Sequence, residues 1–275
     1  MSDLADLVRR ALEEDVGSGD LTTIATVPRG LLARGVLLAK QPLVVSGLDV
    51  ARIAFACVDE RLLLEARAAE GGRVDRGGIL GTVTGPARGM LTAERVALNF
   101  VQRLCGVATL TRKFVDAVAG THTRIRDTRK TTPLLRALEK QAVEAGGGVP
   151  HRSGLDKGIL VKDNHARLAG SVGEATRRAL ARSPGVLIEV EVERLEQIEE
   201  ALAAGAEMLL LDNFAPLGVR EAVGIVHGRV PVEVSGGITL DTVRSYADAG
   251  PEYIAVGALT HSAPGADISL EIEPA

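Results

Sequence analysis

Short apolar runs between residues 123 and 256 alternate with helical patterns, and this alternation constrains the fold more than any other feature of the sequence. The predicted strands are Thr123–Asp127, Ile159–Lys162, Leu187–Glu191, Met208–Asp212, Val232–Val234 and Tyr253–Val256. Strands that are each followed by a helix run parallel, because the helix carries the chain back to its starting edge. Two architectures satisfy this pattern: a doubly wound sheet and a barrel.

Polar residues and glycines follow each predicted strand at its carboxyl end. These ends are Asp127–Lys130, Lys162–His165, Glu189 with Glu191, Asp212–Asn213, Ser235–Gly237 and Gly257–His261. A barrel gathers all its strand ends at one mouth, whereas a doubly wound sheet gathers only those beside its switch point. The sequence therefore predicts a TIM-like α/β barrel with one pocket at the mouth.

The chain before about residue 110 has a mixed pattern instead. Residues 2–14 have helical periodicity, Gly35–Ala39 and Ile79–Val83 are strand-like, and a helix is predicted from Thr92 through Val101 and beyond. Strands and helices without strict alternation indicate an α/β sandwich. We therefore expect two domains, an N-terminal sandwich over residues 1–110 and a barrel over 111–275, with the last residues packing back on the first domain.

Two helix starts in the second half have recognisable caps. Thr132 is expected to cap a helix that begins at Pro133, because proline lacks only an N–H that would be unpaired there. Ser171 and Glu174 have the spacing of a capping box. These signals place helices directly after the first two polar strand ends.

Composition excludes several classes of protein. The net charge of −4 and the 2% of aromatic residues give no reason to expect nucleic-acid binding. No apolar window reaches the roughly 18 residues of a membrane span, and the acidic N-terminus lacks a signal-peptide core. The two cysteines are isolated, so neither a disulfide framework nor a zinc site is indicated. We expect a cytoplasmic protein.

Cations are concentrated between residues 124 and 162 although the chain is net acidic. Arg129, Lys130 and Lys162 stand at strand ends, and His151 with Arg152 follows the glycine-rich loop 146–148. Converging guanidinium and ammonium groups suit a ligand that carries several carboxylates or phosphates. Three further cations of this stretch are expected on a solvated face; they are Arg124, Arg136 and Lys140.

Two glycine turns and three carboxylates complete the polar strand ends. The turns Ser235–Gly237 and Gly257–Ala258 are candidates for phosphate binding through backbone N–H groups, as in the late loops of barrels. Glu189, Glu191 and Asp212 could hold a divalent metal, bind sugar hydroxyls, or pair with neighbouring cations. Glu189 and Glu191 are two residues apart on a strand and therefore face the same side.

Several separate motifs occur here in the order in which a known family has them. They are Asp127–Pro133, Ala145–Gly148 with His151–Arg152, Lys162–His165, Glu14–Thr22 and Leu91–Phe100. In these motifs, which extend nearly end to end, the chain resembles the quinolinate phosphoribosyltransferases. The resemblance implies a sandwich domain, an open α/β barrel and an obligate homodimer. It also implies that quinolinate and phosphoribosyl pyrophosphate give nicotinate mononucleotide, pyrophosphate and carbon dioxide, with Mg²⁺ as cofactor.

The resemblance also implies roles for individual residues. Lys130, Lys162, Glu191 and Asp212 would be catalytic, with Glu191 and Asp212 as candidate Mg²⁺ ligands. Quinolinate and phosphoribosyl pyrophosphate would be bound by Arg95, Thr128, Arg129, Lys130, His151, Arg152, Lys162, Glu191, Asp212, Ser235, Gly236, Gly237, Gly257, Ala258 and His261. Arg95 would reach the neighbouring subunit's site, and dimers could assemble further.

The sequence leaves other interpretations open. In having Pro150 before His151, the chain is similar to a related group of phosphoribosyltransferases from molybdenum-transport operons. That group, however, lacks the Lys162–His165 and Thr131–Pro133 motifs. A lyase barrel that forms a Schiff base at Lys162 is a second alternative. A non-catalytic sensor of phosphoribosyl ligands is a third. Arg126 occupies a position that is apolar in the resembling family, and it touches no inferred ligand contact.

Overall fold

The computed structural model describes residues 2–183 and 185–275, which form two compact units. The first unit comprises the chain up to Leu110 together with Glu144–Gly147 and Ala263–Ala275. The second unit comprises Thr111–Val143 and Gly148–Ser262. Each unit is therefore built mainly from one long part of the sequence. Two short segments, residues 144–147 and 263–275, belong to the first unit although they come later in the chain.

The first unit is built around an antiparallel sheet. Its elements are α1 (Ser2–Val16), α2 (Leu21–Thr26), β1 (Leu32–Ala39), β2 (Leu43–Val44), α3 (Leu48–Val58), β3 (Leu63–Ala66), β4 (Arg73–Val74), β5 (Ile79–Pro86) and α4 (Ala87–Ala117). The strand order of the main sheet is β12-β1-β5-β3, in which β12 (Ile268–Pro274) comes from the other end of the chain. It pairs with β1 from Ala33 opposite Pro274 to Ala39 opposite Ile268. One edge strand of this sheet, β12, is thus the last strand of the chain.

Helix α4 contains 31 residues and extends the predicted helix in both directions. Met90, Ala93 and Val101 on this helix are buried, whereas Arg95 is exposed. Of the helices that the structure describes, none combines the length and the apolar character needed to cross a membrane.

The second unit contains six parallel strands, as the sequence predicts. The remaining elements are β6 (Arg124–Arg126), α5 (Arg136–Ala145), β7 (Ile159–Val161), α6 (Asp163–Ala169), α7 (Val172–Arg182), β8 (Ile188–Val192), α8 (Glu196–Ala203), β9 (Met208–Asp212), α9 (Pro216–Val226), β10 (Val232–Ser235), α10 (Val243–Ala247), β11 (Tyr253–Ala255) and α11 (Ala258–His261). The strand order is β6-β11-β10-β9-β8-β7. Strands β6 and β7 stand at the two ends of this order, so the barrel is open between them.

Strand β8 illustrates why this sheet is covered on both faces. All five of its residues are buried. Ile188, Val190 and Val192 alternate with Glu189 and Glu191, and helices α7 and α8 pack against the strand. Parallel sheets of this kind bury apolar side chains under helices on one face. The two glutamates therefore face the inside of the barrel, which is where a site can use them.

One predicted helix cap is present and the other is not. The Ser171 hydroxyl accepts a hydrogen bond from the Glu174 N–H at 3.2 Å and begins α7. The helix predicted to start at Pro133 instead begins at Arg136, because Leu134 has a φ of 67° and interrupts helical geometry. Thr132 donates its N–H and its hydroxyl to the Glu139 carboxylate at 3.0 and 2.7 Å. The prediction for Pro133 was therefore wrong.

Candidate active site

A pocket of about 390 Å³ opens at the carboxyl ends of the barrel strands. Its lining residues are Thr128, Arg129, Lys130, His151, Arg152, Leu160, Lys162, Glu191, Leu210, Asp212, Glu233, Ser235 and Ala255. The structure thus brings together cations and carboxylates that are far apart in sequence. In a barrel the carboxyl ends of the strands share one mouth, which explains why they meet.

The inside of the barrel is filled by side chains from alternate strands. Strands β7, β9 and β11 supply the apolar members Leu160, Leu210 and Ala255. Strands β6, β8 and β10 supply the charged members Arg126, Glu189 and Glu233. Layers drawn from every second strand are the usual packing of such barrels. One such layer is charged here, which is unusual because barrel interiors are mostly branched apolar residues.

Two arginines point cationic groups at this pocket without full pairing. The Nε atoms of Arg129 and Arg152 are buried and have no hydrogen-bond partner among the described residues. Arg152 donates through Nη1 to the Gly158 carbonyl at 2.7 Å. Burial lowers the pKa of Arg152, and the nearby Arg129 lowers it further. Two such guanidinium groups side by side favour an anionic ligand, since it would satisfy both.

A lysine and two carboxylates form the other side of the pocket. Lys162 Nζ lies 2.8 Å from Glu191 Oε2, and the Asp163 N–H donates to Glu191 Oε1 at 3.4 Å. Asp212 accepts from the Asn213 amide at 2.7 Å. Burial raises the pKa of Asp212, and Glu191 raises it further, while Lys162 opposes both. Glu191 and Asp212 are therefore close enough for their charges to interact.

The two glycine turns lie on the loops after β10 and β11. The N–H groups of Gly236, Gly237, Gly257 and Ala258 donate to no acceptor in the described part of the chain. Gly236 has a φ of 109°, and a Cβ there would lie 2.2 Å from Asn213 Oδ1, so a side chain does not fit. These free amides are the donors that a phosphate group needs. Of the two turns, Ser235 lines the pocket, whereas the other residues of the turns and His261 are not among the lining residues of the described chain.

Lys140 is buried, although the sequence predicted a solvated position. It is 6% exposed, and its Nζ donates to both carboxylate oxygens of Asp127, at 2.8 and 2.6 Å. The same ammonium donates to the His151 carbonyl at 2.8 Å, and Asp127 accepts the His151 N–H at 2.6 Å. Burial lowers the pKa of Lys140, and Asp127 opposes that effect. Lys140 therefore fixes the carbonyl of His151, and Asp127 fixes its N–H.

We expect Lys140→Met to lower the free energy of unfolding by about 3–5 kcal/mol, because the fully buried Asp127 carboxylate would lose its countercharge. Urea denaturation measures this change. The matched control is Lys40→Met, which breaks a pair with Glu271 whose side chains are 41% and 56% exposed. That control should change stability by no more than about 1 kcal/mol. Equal effects of the two substitutions would contradict the structural role given to Lys140.

Glu233 was not among the predicted site residues, and its partner is Arg126. Glu233 lines the pocket and is fully buried, and Arg126 Nη1 donates to its Oε2 at 2.6 Å. Burial, followed by the Glu189 carboxylate, raises the pKa of Glu233 above that of an ordinary glutamate. A signal was available, because Glu233 is two residues before Ser235 and faces the same side of the strand.

Two other predicted features lie elsewhere. The glycine-rich loop 146–148 contributes no residue to the lining of the pocket in the described chain. Arg95 lies on α4 in the first unit, with an exposed side chain that makes no hydrogen bond or ion pair with the residues that the structure describes. The pocket described here is therefore formed by the second unit.

The fold and the site together define an α/β-barrel enzyme whose substrates carry several negative charges. Cations and a carboxylate pair meet at one mouth, and the loops after β10 and β11 carry backbone amides that donate to no acceptor in the described chain. Barrel enzymes bind their substrates at this end of the strands.

Comparison with known proteins identifies the family. Residues 20–105 match the family model for the quinolinate phosphoribosyl transferase N-terminal domain, and residues 107–271 match that for its C-terminal domain. The chain belongs to the quinolinate phosphoribosyl transferase family.

Individual relatives agree with this assignment along the whole chain. The nicotinate-nucleotide pyrophosphorylase [carboxylating] of Mycobacterium leprae is 46% identical, over 97% of this chain and 96% of its own length. The probable enzyme of that name from Bacillus subtilis is 40% identical, over 98% of this chain and 93% of its own. The solved nicotinate-nucleotide pyrophosphorylase from Francisella tularensis superposes with a TM-score of 0.95 at 34% identity, covering 99% and 96% of the two chains.

Proposed function

We propose that this protein transfers the phosphoribosyl group of phosphoribosyl pyrophosphate to quinolinate, with loss of carbon dioxide, in the de novo synthesis of NAD. The single observation that carries the proposal is the pocket, which brings four cations together with Glu191 and Asp212 and in which two arginine Nε atoms have no partner among the described residues. One substrate is a dicarboxylate and the other carries a monophosphate and a pyrophosphate. A cationic mouth with separate phosphate donors suits both.

Arg129, Arg152 and Lys162 are the residues we propose for the two carboxylates of quinolinate. Their geometry supports this role, because two buried guanidinium Nε groups need acceptors that the described residues do not supply. Bound in this way, the pyridine nitrogen would point toward C1 of the ribose, which removes much of the entropic barrier to attack. Lys130 and Lys162 would neutralise pyrophosphate as it leaves.

The reaction then proceeds by two bond exchanges. The nitrogen lone pair forms a bond to C1 as the bond from C1 to the pyrophosphate oxygen breaks. Glu191 and Asp212 would bind the ribose hydroxyls and stabilise the positive charge that develops at C1. In the second exchange the bond from C2 of the ring to its carboxylate breaks and carbon dioxide leaves. The electron pair stays on C2 beside the positive ring nitrogen and takes up a proton.

The free amides of the two glycine turns are the groups we propose for the 5′-phosphate, together with Ser235 and His261. His261 lies close to the Gly257 turn, since a Cβ on Gly257 would be 3.1 Å from His261 Nε2 and 3.4 Å from Lys130 Cδ. Thr260 fixes the same loop by donating its hydroxyl to the Lys130 carbonyl at 2.8 Å. Thr128 donates nothing here but accepts the Lys130 N–H at 3.0 Å, which shapes the first loop.

Mg²⁺ is the cofactor we propose, with Glu191 and Asp212 as its protein ligands. The donor set fits, because both are carboxylates at the pocket whose negative charges interact, and Asp212 Oδ1 accepts no hydrogen bond from the described residues. Mg²⁺ prefers such oxygen ligands and usually retains waters and substrate phosphates in its shell. When bound, it would neutralise charge on the pyrophosphate.

We also propose that the protein acts as a homodimer in which Arg95 serves the partner's pocket. The exposed, unpaired Arg95 side chain supports this role, since it leaves five donors available. Assembly of dimers beyond this state and a cytoplasmic location stay predictions.

The Schiff-base alternative has less support. A lysine that forms a Schiff base is activated by desolvation or by a neighbouring cation. Lys162 is 47% exposed, so burial does not desolvate it, and its Nζ is engaged by the Glu191 carboxylate at 2.8 Å.

Purified protein with Mg²⁺ is expected to release carbon dioxide from carboxyl-labelled quinolinate only when phosphoribosyl pyrophosphate is present. Nicotinic acid should be a poor substitute, because it lacks the 2-carboxylate that the cations bind and that the reaction expels. Release of labelled carbon dioxide and formation of nicotinate mononucleotide are the measurements. Equal turnover of the two acids, or borohydride trapping of a Lys162 adduct, would overturn the assignment.

A further inference from the structure

Helix α5 directs three charged side chains toward the loops beside it. Arg136, Glu139 and Lys140 are three and four residues apart, so they lie on one face of the helix. Lys140 donates to Asp127 and to the His151 carbonyl. The sequence predicts Arg136 on a solvated face, yet the residue is half-buried and its guanidinium makes three hydrogen bonds. The position of Arg136 is therefore a second correction on this helix.

The loop after β6, which carries Arg129, is held by two of these side chains. Arg136 donates through Nε to the Thr131 hydroxyl at 3.0 Å and through Nη2 to the Arg129 carbonyl at 3.4 Å. The Glu139 carboxylate is fully buried and accepts both the N–H and the hydroxyl of Thr132. Helix α5 thus fixes this loop at three of its residues.

Arg136 also reaches the loop that carries Arg152. Its Nη1 donates to the Ser153 carbonyl at 3.1 Å. One guanidinium therefore contacts the carbonyl of Arg129 in the first loop and the carbonyl that follows Arg152 in the second. The guanidinium is a rigid planar fork, so the directions of its donors are fixed relative to one another. Arg136 is thereby a bridge that fixes the separation of the two loops.

These two loops present the arginine pair of the pocket. Burial lowers the pKa of Arg152, and the charge of Arg129 lowers it further, so the two guanidinium groups interact. The Nε atom of each is buried and has no partner among the described residues. Like charges repel, so the separation of the pair depends on what holds the two backbones. Arg136 holds them from outside, since it is not among the lining residues of the described pocket.

We propose that Arg136 is a positioning residue that sets the separation of Arg129 and Arg152, and that this separation makes the pocket selective for a ligand with two adjacent carboxylates. Such a ligand has to meet both guanidinium groups at once, whereas a single carboxylate can bind to either of them. The inference rests on the proposed function for the identity of the natural ligand, quinolinate.

The binding of two simple acids tests this role. Benzene-1,2-dicarboxylate has the adjacent carboxylates of quinolinate without the ring nitrogen, and benzoate has one carboxylate. We expect Arg136→Ala to raise the dissociation constant of the dicarboxylate by about 10- to 30-fold and that of benzoate by less than about threefold. Isothermal titration calorimetry measures both constants, and retained benzoate binding shows that the pocket is still folded. Equal weakening of the two acids would overturn the proposal.

Arg136→Lys separates the geometry of the bridge from its charge. Lysine keeps the positive charge but lacks the planar fork, so it cannot hold both loop carbonyls as the guanidinium does. We expect the dissociation constant of the dicarboxylate in the Lys variant to stay within about threefold of that in the Ala variant. Recovery of the wild-type affinity would mean that charge alone is sufficient, and it would contradict the proposal.

Arg244→Ala is the matched control. Arg244 also lies on a barrel helix, α10, and its Nη1 donates to a loop carbonyl, that of Ala119, at 3.1 Å. This loop precedes β6, so it lies at the opposite end of the strand from the pocket. Both dissociation constants should stay within about twofold of the wild-type values. A loss of dicarboxylate affinity as large as that of Arg136→Ala would mean that loosening any barrel loop has this effect, and the specific role of Arg136 would be refuted.

Turnover gives a second readout, through the arginine pair itself. The quantity measured is kcat/KM for quinolinate in Arg136→Ala, Arg129→Ala and the double variant. We expect Arg136→Ala to lower it by about 10- to 50-fold in the wild-type background but by less than about threefold when Arg129 is already replaced. The reason is that a separation has no effect once one member of the pair is gone. Equal losses in the two backgrounds would show that Arg136 acts independently of Arg129.

Failure of the proposed function would give a different result from failure of this inference. The binding measurements use neither phosphoribosyl pyrophosphate nor Mg²⁺. If the wild-type protein did not turn over quinolinate, the proposed function would be overturned, and the two dissociation constants would still decide the role of Arg136.

Discussion

Lys162→Ala is expected to lower kcat/KM for quinolinate by at least ~100-fold, which corresponds to roughly 3 kcal/mol of transition-state stabilisation. Lys162 has two proposed tasks, and none of the other residues proposed for the substrates combines them. It supplies a positive charge for carboxylate and pyrophosphate, and it pairs with Glu191 at 2.8 Å. In the wild-type protein the positive charge of Lys162 opposes the upward shift that Glu191 causes in the pKa of Asp212. Without Lys162, that charge no longer offsets the repulsion between the Glu191 and Asp212 carboxylates.

Initial-rate kinetics with both substrates check this result, with Arg129→Ala as a second variant of similar expected effect. Lys157→Ala is the matched control, because Lys157 precedes the same strand but its side chain is 62% exposed and pairs with Asp156, which does not line the pocket. The free energy of unfolding should fall less than in Lys140→Met, because the Lys162 side chain is 47% exposed although Glu191 is only 7% exposed, whereas Lys140 and Asp127 are both buried. Near wild-type activity of Lys162→Ala or Arg129→Ala would mean that the site lies elsewhere.

Mixtures of inactive variants are expected to regain activity if Arg95 serves the neighbouring pocket. When Arg95→Ala and Lys162→Ala dimers exchange subunits, one site of each mixed dimer receives Lys162 from its own barrel and Arg95 from the partner. The other site carries both defects. About half of the dimers are mixed and half of their sites are intact, so activity should recover to roughly one quarter of wild type in a two-fold dimer.

The matched control for this experiment mixes Arg129→Ala with Lys162→Ala. Both residues belong to the same barrel, so every site keeps a defect and no activity should return. Activity after mixing is the measurement, and subunit exchange is verified separately with differently tagged chains. If exchange is complete and the Arg95–Lys162 mixture stays inactive, Arg95 acts within its own chain or not at all.

The barrel could be predicted from the sequence because its strands and helices can be recognised from short stretches of neighbouring residues. Five of the six strands are short, largely apolar segments, each of the six is followed by a helix pattern, and the polar ends identify the mouth. The order of the strands and the meeting of their ends follow from general rules of parallel sheets. The pocket residues Arg129, Lys162, Glu191 and Asp212 could therefore be named before the structure was known.

Features that depend on distant partners could not be predicted in this way. Lys140 resembles a solvated helix lysine until the buried Asp127, 13 residues before it, is placed at 2.6 Å. Arg126 pairs with Glu233 across 107 residues, so neither residue indicates its role alone. The helix after Thr132 begins later than its cap suggests, because Leu134 has a positive φ that local propensity does not predict.

The pairing of β12 with β1 has a consequence for the order in which the chain can fold during synthesis. Strand β1 is among the first segments to leave the ribosome, yet one of its edges is completed only by residues 268–274. Until then the N-terminal sheet presents an open edge, which is a site for unwanted pairing with another chain. Thr111–Val143 and Gly148–Ser262 contain all the barrel strands and emerge before that edge is covered. The barrel can therefore form on the nascent chain before β12 has been synthesised and the N-terminal sheet is complete.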